Sequence, residues 1–140
     1  MIACTFALAA QAVAFSTVAQ GGSSQIQEPR TVVVRSTDEW QALWKEHGAG
    51  AAPTVDFTRS LVVGVFLGMR PSAGFGVQIT TIRRSGTTAF VEYAERRPAL
   101  GEITAQVLTS PFHLVAMPRA VEVVEFKEIG GGADRGRRSP

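Results

Sequence analysis

Only one cysteine, Cys4, occurs in the 140 residues, and it stands almost at the start of the chain. A chain matured beyond it has no thiol, which excludes disulfides, thiolate catalysis and cysteine-based metal sites. Histidine is nearly as scarce. His47 and His113 are the only two, neither has a second histidine at a ligand spacing such as i, i+4, and both are read as structural or solvent-facing. There is no glycine-rich phosphate loop of adequate spacing and no Gly-x-Ser-x-Gly elbow. Asp38 and Glu39 are explained by a helix cap rather than as an acid/base pair, and Glu92 and Glu95 by a strand and its exit. These absences leave no catalytic residue, metal or cofactor to name, and point away from an enzyme.

Excess charge is missing too. The net charge is +2, yet Gly21 to Ile129 is formally neutral, with 11 Lys and Arg against 11 Asp and Glu. The surplus comes from the tail, GGGADRGRRSP, where Arg135, Arg137 and Arg138 stand among glycines and small residues. Such a segment buries too little to offset the entropy of ordering it, so residues 129–140 are expected to be a disordered basic tail. Three arginines without interleaved aromatics are too thin a footprint for nucleic acid.

Residues 1–20 carry no charge and run through Ile2, Phe6, Leu8, Val13 and Phe15 with many alanines, before Gln20 and the small, polar Gly21 to Ser24. This is the pattern of a secretory signal peptide lacking its basic n-region, with cleavage placed after Ala19 and Thr17 at the third position before the cut. The expected compartment is extracytoplasmic: periplasmic, envelope-associated or secreted. A retained anchor is the alternative, but Gln11, Ser16 and Thr17 interrupt the run before it reaches the roughly 17 residues of a spanning helix. Met1-Ile2-Ala3-Cys4 would resemble a lipoprotein processing site if translation began upstream. The stretch after Cys4 nevertheless stays apolar where such a chain turns polar.

What remains is one domain of ordinary size, 45% hydrophobic and with eight Phe. Val32 to Val34 give β-branched density for a strand at 31–35. Ser36-Thr37-Asp38-Glu39 reads as a capping box, and Trp40, Leu43, Trp44 and His47 then share one helical face, with Gly48 suited to the left-handed position that ends the helix. A loop at 49–58 leads to the continuous apolar run Leu61 to Leu67, a central strand covered on both faces. Phe75, Val77 and Ile79 alternate, and Ile82 breaks parity, which predicts a bulge. Ser85-Gly86 signals a hairpin into 89–95. Ile103, Ala105 and Val107 alternate as the next strand, followed by 112–117 and 121–126. The expected fold is α+β, mostly β: an antiparallel sheet or sandwich of about seven strands with one N-terminal amphipathic helix packed over it.

Pro29-Arg30, Asp38 to Trp44, Val55-Asp56-Phe57, Val63 to Gly68, Arg70 to Phe75 with Val77 and Ile79, and Gln106 to Thr109 followed by Pro111-Phe112 together resemble the C-terminal domain of the protease complex subunit PrcB family, over residues 26–128. The resemblance implies a bacterial exported accessory subunit associated with a protease, with no established catalytic residues. The chain departs from the family at Ala73 and Phe75, where a second glycine and a tyrosine are typical, so no role of either is carried over.

The loop Arg70, Pro71, Ser72, Ala73, Gly74, Phe75 is the candidate binding site. Pro71 restricts its entry, Ser72 and Ala73 are small, and Gly74 opens a backbone conformation closed to other residues. Its Pro-Ser-x-Gly-Phe pattern also resembles the turn that chagasin-type cysteine protease inhibitors insert into a protease cleft. A stand-alone inhibitor or ligand-binding domain is therefore the alternative function, and a plain turn with Phe75 buried is the alternative structure.

Overall fold

A computed structural model describes residues 10–48 and 50–130. The start of the expected leader with Cys4, and the arginines of the expected tail, lie outside the described residues. The elements are β1 (Gln11–Ala12), β2 (Ser16–Gly21), β3 (Arg30–Val34), α1 (Thr37–His47), β4 (Ser60–Phe66), β5 (Gly76–Ser85), β6 (Thr88–Arg96), β7 (Phe112–Pro118) and β8 (Val123–Glu128). They build two four-stranded sheets, one in the order β1-β5-β6-β8 and the other β2-β7-β4-β3. The pairs are antiparallel apart from β6 and β8, which run parallel.

β4 explains the layering. Leu61, Val63 and Val65 face the first sheet and pack with Val77, Ile79, Ile82, Val91, Val115 and Met117. Val62 and Phe66 face the other way and pack with Trp40, Leu43 and Trp44 of α1, together with Phe112 and Leu114. A strand buried on both faces needs an unbroken apolar sequence, which is what residues 61–67 supply. The result is sheet, sheet and helix in three layers, with two cores that share β4 and β7.

Local chemistry sets the boundaries of α1. Ser36 accepts from the Glu39 amide at 3.2 Å, and Glu39 reaches back to the amide of Arg35 at 2.8 Å, one residue earlier than in the usual box. Gly48, at φ 80°, donates its amide to the Trp44 carbonyl and ends the helix. The register shift of β5 against β6 falls between Ile79 and Thr81, where the parity break predicts it. The hairpin turn is Gly86-Thr87, one residue beyond Ser85-Gly86, and Ser85 pairs with Thr88.

Two features differ from the sequence reading. Residues 103–107 form no strand: Ile103, Ala105 and Val107 are all exposed, and the segment belongs to a long connection from β6 to β7. Conversely, residues inside the expected leader form β1 and β2. β2 pairs with β7 from Ser16↔Ala116 to Gly21↔Phe112.

Both histidines are buried and hydrogen-bonded, and the tautomer of His113 is fixed by a backbone amide. The Nδ1 of His113 accepts the Ile79 amide of the facing sheet at 2.8 Å, and its Nε2 lies 2.9 Å from the Thr17 hydroxyl of β2. The Nδ1 of His47 lies 2.7 Å from the Ser24 hydroxyl, which itself accepts from the Ile26 amide. Burial pushes the pKa of both imidazoles below the ordinary histidine value. A depressed histidine pKa means the unfolded chain takes up protons first as pH falls. Stability is then complete above the ordinary value, near 6.5, and declines as pH drops through it towards the depressed folded value. The urea midpoint is expected to fall between pH 7.5 and 5.5, and to fall less in His113→Gln, whose side-chain oxygen can still accept the Ile79 amide. An equal fall in both proteins would remove His113 as a source of the effect.

Candidate docking surface at one end of the sandwich

Three connections meet where β2, β4 and β6 end and β3, β5 and β7 begin, as the pairs Gly21↔Phe112, Arg30↔Phe66 and Gly76↔Arg96 require. They are residues 22–29, 67–75 and 97–111. The chain ties them together with backbone bonds: Ser24 N to Ser110 O at 3.1 Å, Ser110 N to Gly22 O at 2.8 Å, Met69 N to Gln27 O at 3.2 Å, and a reciprocal pair between Arg70 and Thr109 at 2.8 and 2.9 Å. Connections bonded in this way keep their shape before any partner arrives, which reduces the entropy lost on binding.

All six residues of the Arg70–Phe75 loop lie in the middle connection, but they are not its free tip. Arg70 donates from Nε to Glu95 at 2.7 Å and from Nη1 to the carbonyls of Leu67 and Met69. Glu95 is buried, so this cation is engaged within the fold. Ser72 is also buried, and its carbonyl accepts from the Thr109 hydroxyl at 3.0 Å. Ala73 donates its amide to Ala105 O at 3.0 Å. Gly74 takes φ 98°, and a Cβ there would lie 2.9 Å from atoms of Pro98 and Thr104. Its carbonyl accepts from Arg96. Phe75 is half-buried, and Pro71 alone of the six is exposed. The third connection lies against this loop, and the close approach at Gly74 is what the glycine permits.

Sequence reasoning missed that third connection as a surface. Leu100 and Ile103 are 104% and 96% exposed, Leu108 69% and Val107 53%, with Met69 of the middle connection at 42%. Leu100 is presented by a pinned turn: Glu102 N donates to Ala99 O at 2.9 Å, Ala99 N to the Glu102 carboxylate at 2.8 Å, and Gly101 takes φ 85°. Among the same three connections, Met69, Leu108, Thr109, Ser23 and Ser24 line a hollow of about 240 Å³. Full burial of a leucine or isoleucine contributes roughly 1.5–3 kcal/mol. Several such side chains left in water on the connections at one end of the domain make that end the candidate docking surface. The signal available in sequence was Pro98 and Gly101, which punctuate 97–111 as a connection before the alternation at 103–107 begins.

The Ser24–His47 pair lies beneath this end. The Ser24 hydroxyl bonds both the ring and the Ile26 amide, and the imidazole is enclosed by Trp44 and Phe112 at ring distances of 4.8 and 4.4 Å. With Gln25 N donating to His47 O, the pair staples the first connection to the end of α1. Among the described residues no group of three or more His, Cys, Asp or Glu is placed to hold a metal ion, and no helix is long and apolar enough to cross a membrane.

No curated protein and no solved structure matches the chain. Residues 61–118 match the family model described as PrcB C-terminal, a stretch that runs from β4 to the end of β7 and contains the second and third connections. The blocks quoted from residues 29–57 lie outside that match. Over residues 61–118, which include both loops of the candidate surface, the chain is similar to the PrcB C-terminal family.

Proposed function

We propose that this chain is a non-catalytic, exported accessory subunit that binds a protease through the end of the sandwich where the three connections meet. The observation that carries the reading is the water-exposed set Leu100, Ile103, Val107 and Leu108, held on a braced loop inside the family-matched stretch. A rigid scaffold presenting apolar side chains on hydrogen-bonded loops suits binding of a protein surface, since the ordering cost is already met by the fold. The family match favours a protease as partner, and the uncharged apolar start of the chain favours the extracytoplasmic side of a bacterial envelope.

The inhibitor reading, in which Pro71–Phe75 enters a protease cleft, is less well served. Entry needs Ser72 and Ala73 to protrude, whereas the Ser72 side chain is buried and the Ala73 amide is bonded to Ala105. The two readings separate in one experiment. The exported chain, carrying an affinity tag, is purified from the envelope of its host and the recovered proteins are identified and assayed. A protease that copurifies and keeps its peptidase activity supports the subunit. One that copurifies inhibited, with the inhibition competed by peptide substrate, supports the inhibitor. Recovery of no protease overturns both.

A further inference from the structure

The stretch that resembles a leader and the strand that completes the second sheet overlap at residues 16–20. We infer that the export cut falls before β2, at the Ala12–Val13 or the Ala14–Phe15 bond, and that the mature chain keeps Phe15 to Gly21. The inference rests on the export reading above and moves its processing site upstream from Ala19.

Two observations meet here. β2 is bound into the domain by more than its ladder. Thr17 holds Nε2 of the buried His113 at 2.9 Å, the Gln20 side chain donates to the Val77 carbonyl of the facing sheet at 3.0 Å, and Val18 and Ala19 pack on the helix-side core. Gly21 lies against the Phe112 ring, where even a Cβ would come within 3.3 Å. A cut after Ala19 would remove four of the six β2 residues. It would leave the His113 N–H buried without its acceptor and expose the edge of β7, a strand whose residues 112–115 and 117 are all buried. An apolar, unpaired edge of that kind is a site of aggregation.

β1, by contrast, is two exposed residues paired with Arg83 and Arg84 at the margin of the first sheet. Val13 and Phe15 are partly buried against the core between the sheets, and the Val13 amide donates to Ile82 O at 2.8 Å. The boundary between what the fold can lose and what it needs therefore falls between Ala12 and Phe15. Small residues stand at the first and third positions before both bonds, as Ala10-Gln11-Ala12 and Ala12-Val13-Ala14, the spacing a signal peptidase reads.

The full chain is expressed in a bacterial host, and the exported protein is measured by intact mass and N-terminal sequencing. The expected first residue is Val13 or Phe15. A first residue at Gln20 or beyond overturns this inference and leaves the export reading standing, whereas export with Met1 still attached overturns both. A second measurement compares chains made to begin at Phe15 and at Gln20. The shorter chain is expected to melt lower by about 10 °C or more, or to precipitate. Equal melting midpoints would show that β2 is dispensable, which also overturns the inference.

Discussion

Trp40→Ala is expected to destabilise the domain by about 3–5 kcal/mol, enough to remove much of the stability of a chain this size. Trp40 is 1% exposed, its ring centroid lies 5.2 Å from that of Trp44 and 6.4 Å from that of Phe57, and its indole N–H donates to the Pro53 carbonyl at 2.8 Å. Alanine would leave a cavity and an unpaired carbonyl, two costs of different origin. Trp44 offers a control within the same face. It is also buried, but its indole N–H has no acceptor among the described residues. Phenylalanine at 44 keeps most of the ring and removes a buried donor that has no partner, whereas phenylalanine at 40 breaks a made bond. Urea unfolding should therefore rank Trp44→Phe as milder than Trp40→Phe. Midpoints for both alanine variants close to that of the wild type would show that this face does not support a core.

The second large effect is expected on binding and not on folding. Leu100→Asp with Ile103→Asp should leave the unfolding midpoint within about 0.5 kcal/mol of wild type, because side chains almost wholly in water contribute little to the core. Affinity for the proposed protease partner should fall by roughly 30-fold or more for each position that acts as a hot spot, the equivalent of about 2 kcal/mol. A charge forced into an apolar contact adds the cost of desolvating it. Binding unchanged in the double variant, with folding intact, would remove this loop from the interface. Ser72→Arg is a poorer probe. Ser72 is buried and its carbonyl is held by Thr109, so the bulk would disturb both loops and mix stability with affinity.

The helix was legible because its signals are local. The Ser36 and Glu39 cap, the face from Trp40 to His47 and the terminating Gly48 lie within thirteen residues, and the bonds they form involve only neighbours. β4 was legible for a different reason, since an apolar run with no polar alternation has no solvent face to present. The Arg70–Phe75 loop was placed correctly between strands as a glycine turn, but its exposure was not. Whether Ser72 faces water depends on where residues 98–109 come to rest, and that contact spans tens of residues.

The sequence by itself therefore determined the mostly β class with one amphipathic helix, the central doubly buried strand, the hairpin and the bulge. Each follows from periodicity, capping or turn chemistry read over a short window. Only the tertiary structure decided the pairing of β2 with β7, the parallel placement of β8 beside β6, the burial of both histidines and the turning outward of Leu100 and Ile103. The alternation at 103–107 and the apolar run before Gln20 are chemically compatible with more than one fate. A strand needs a free edge to pair with, and a hydrophobic segment needs a face to cover. For β2 the fold provides both on β7, whereas residues 103–107 are left in water.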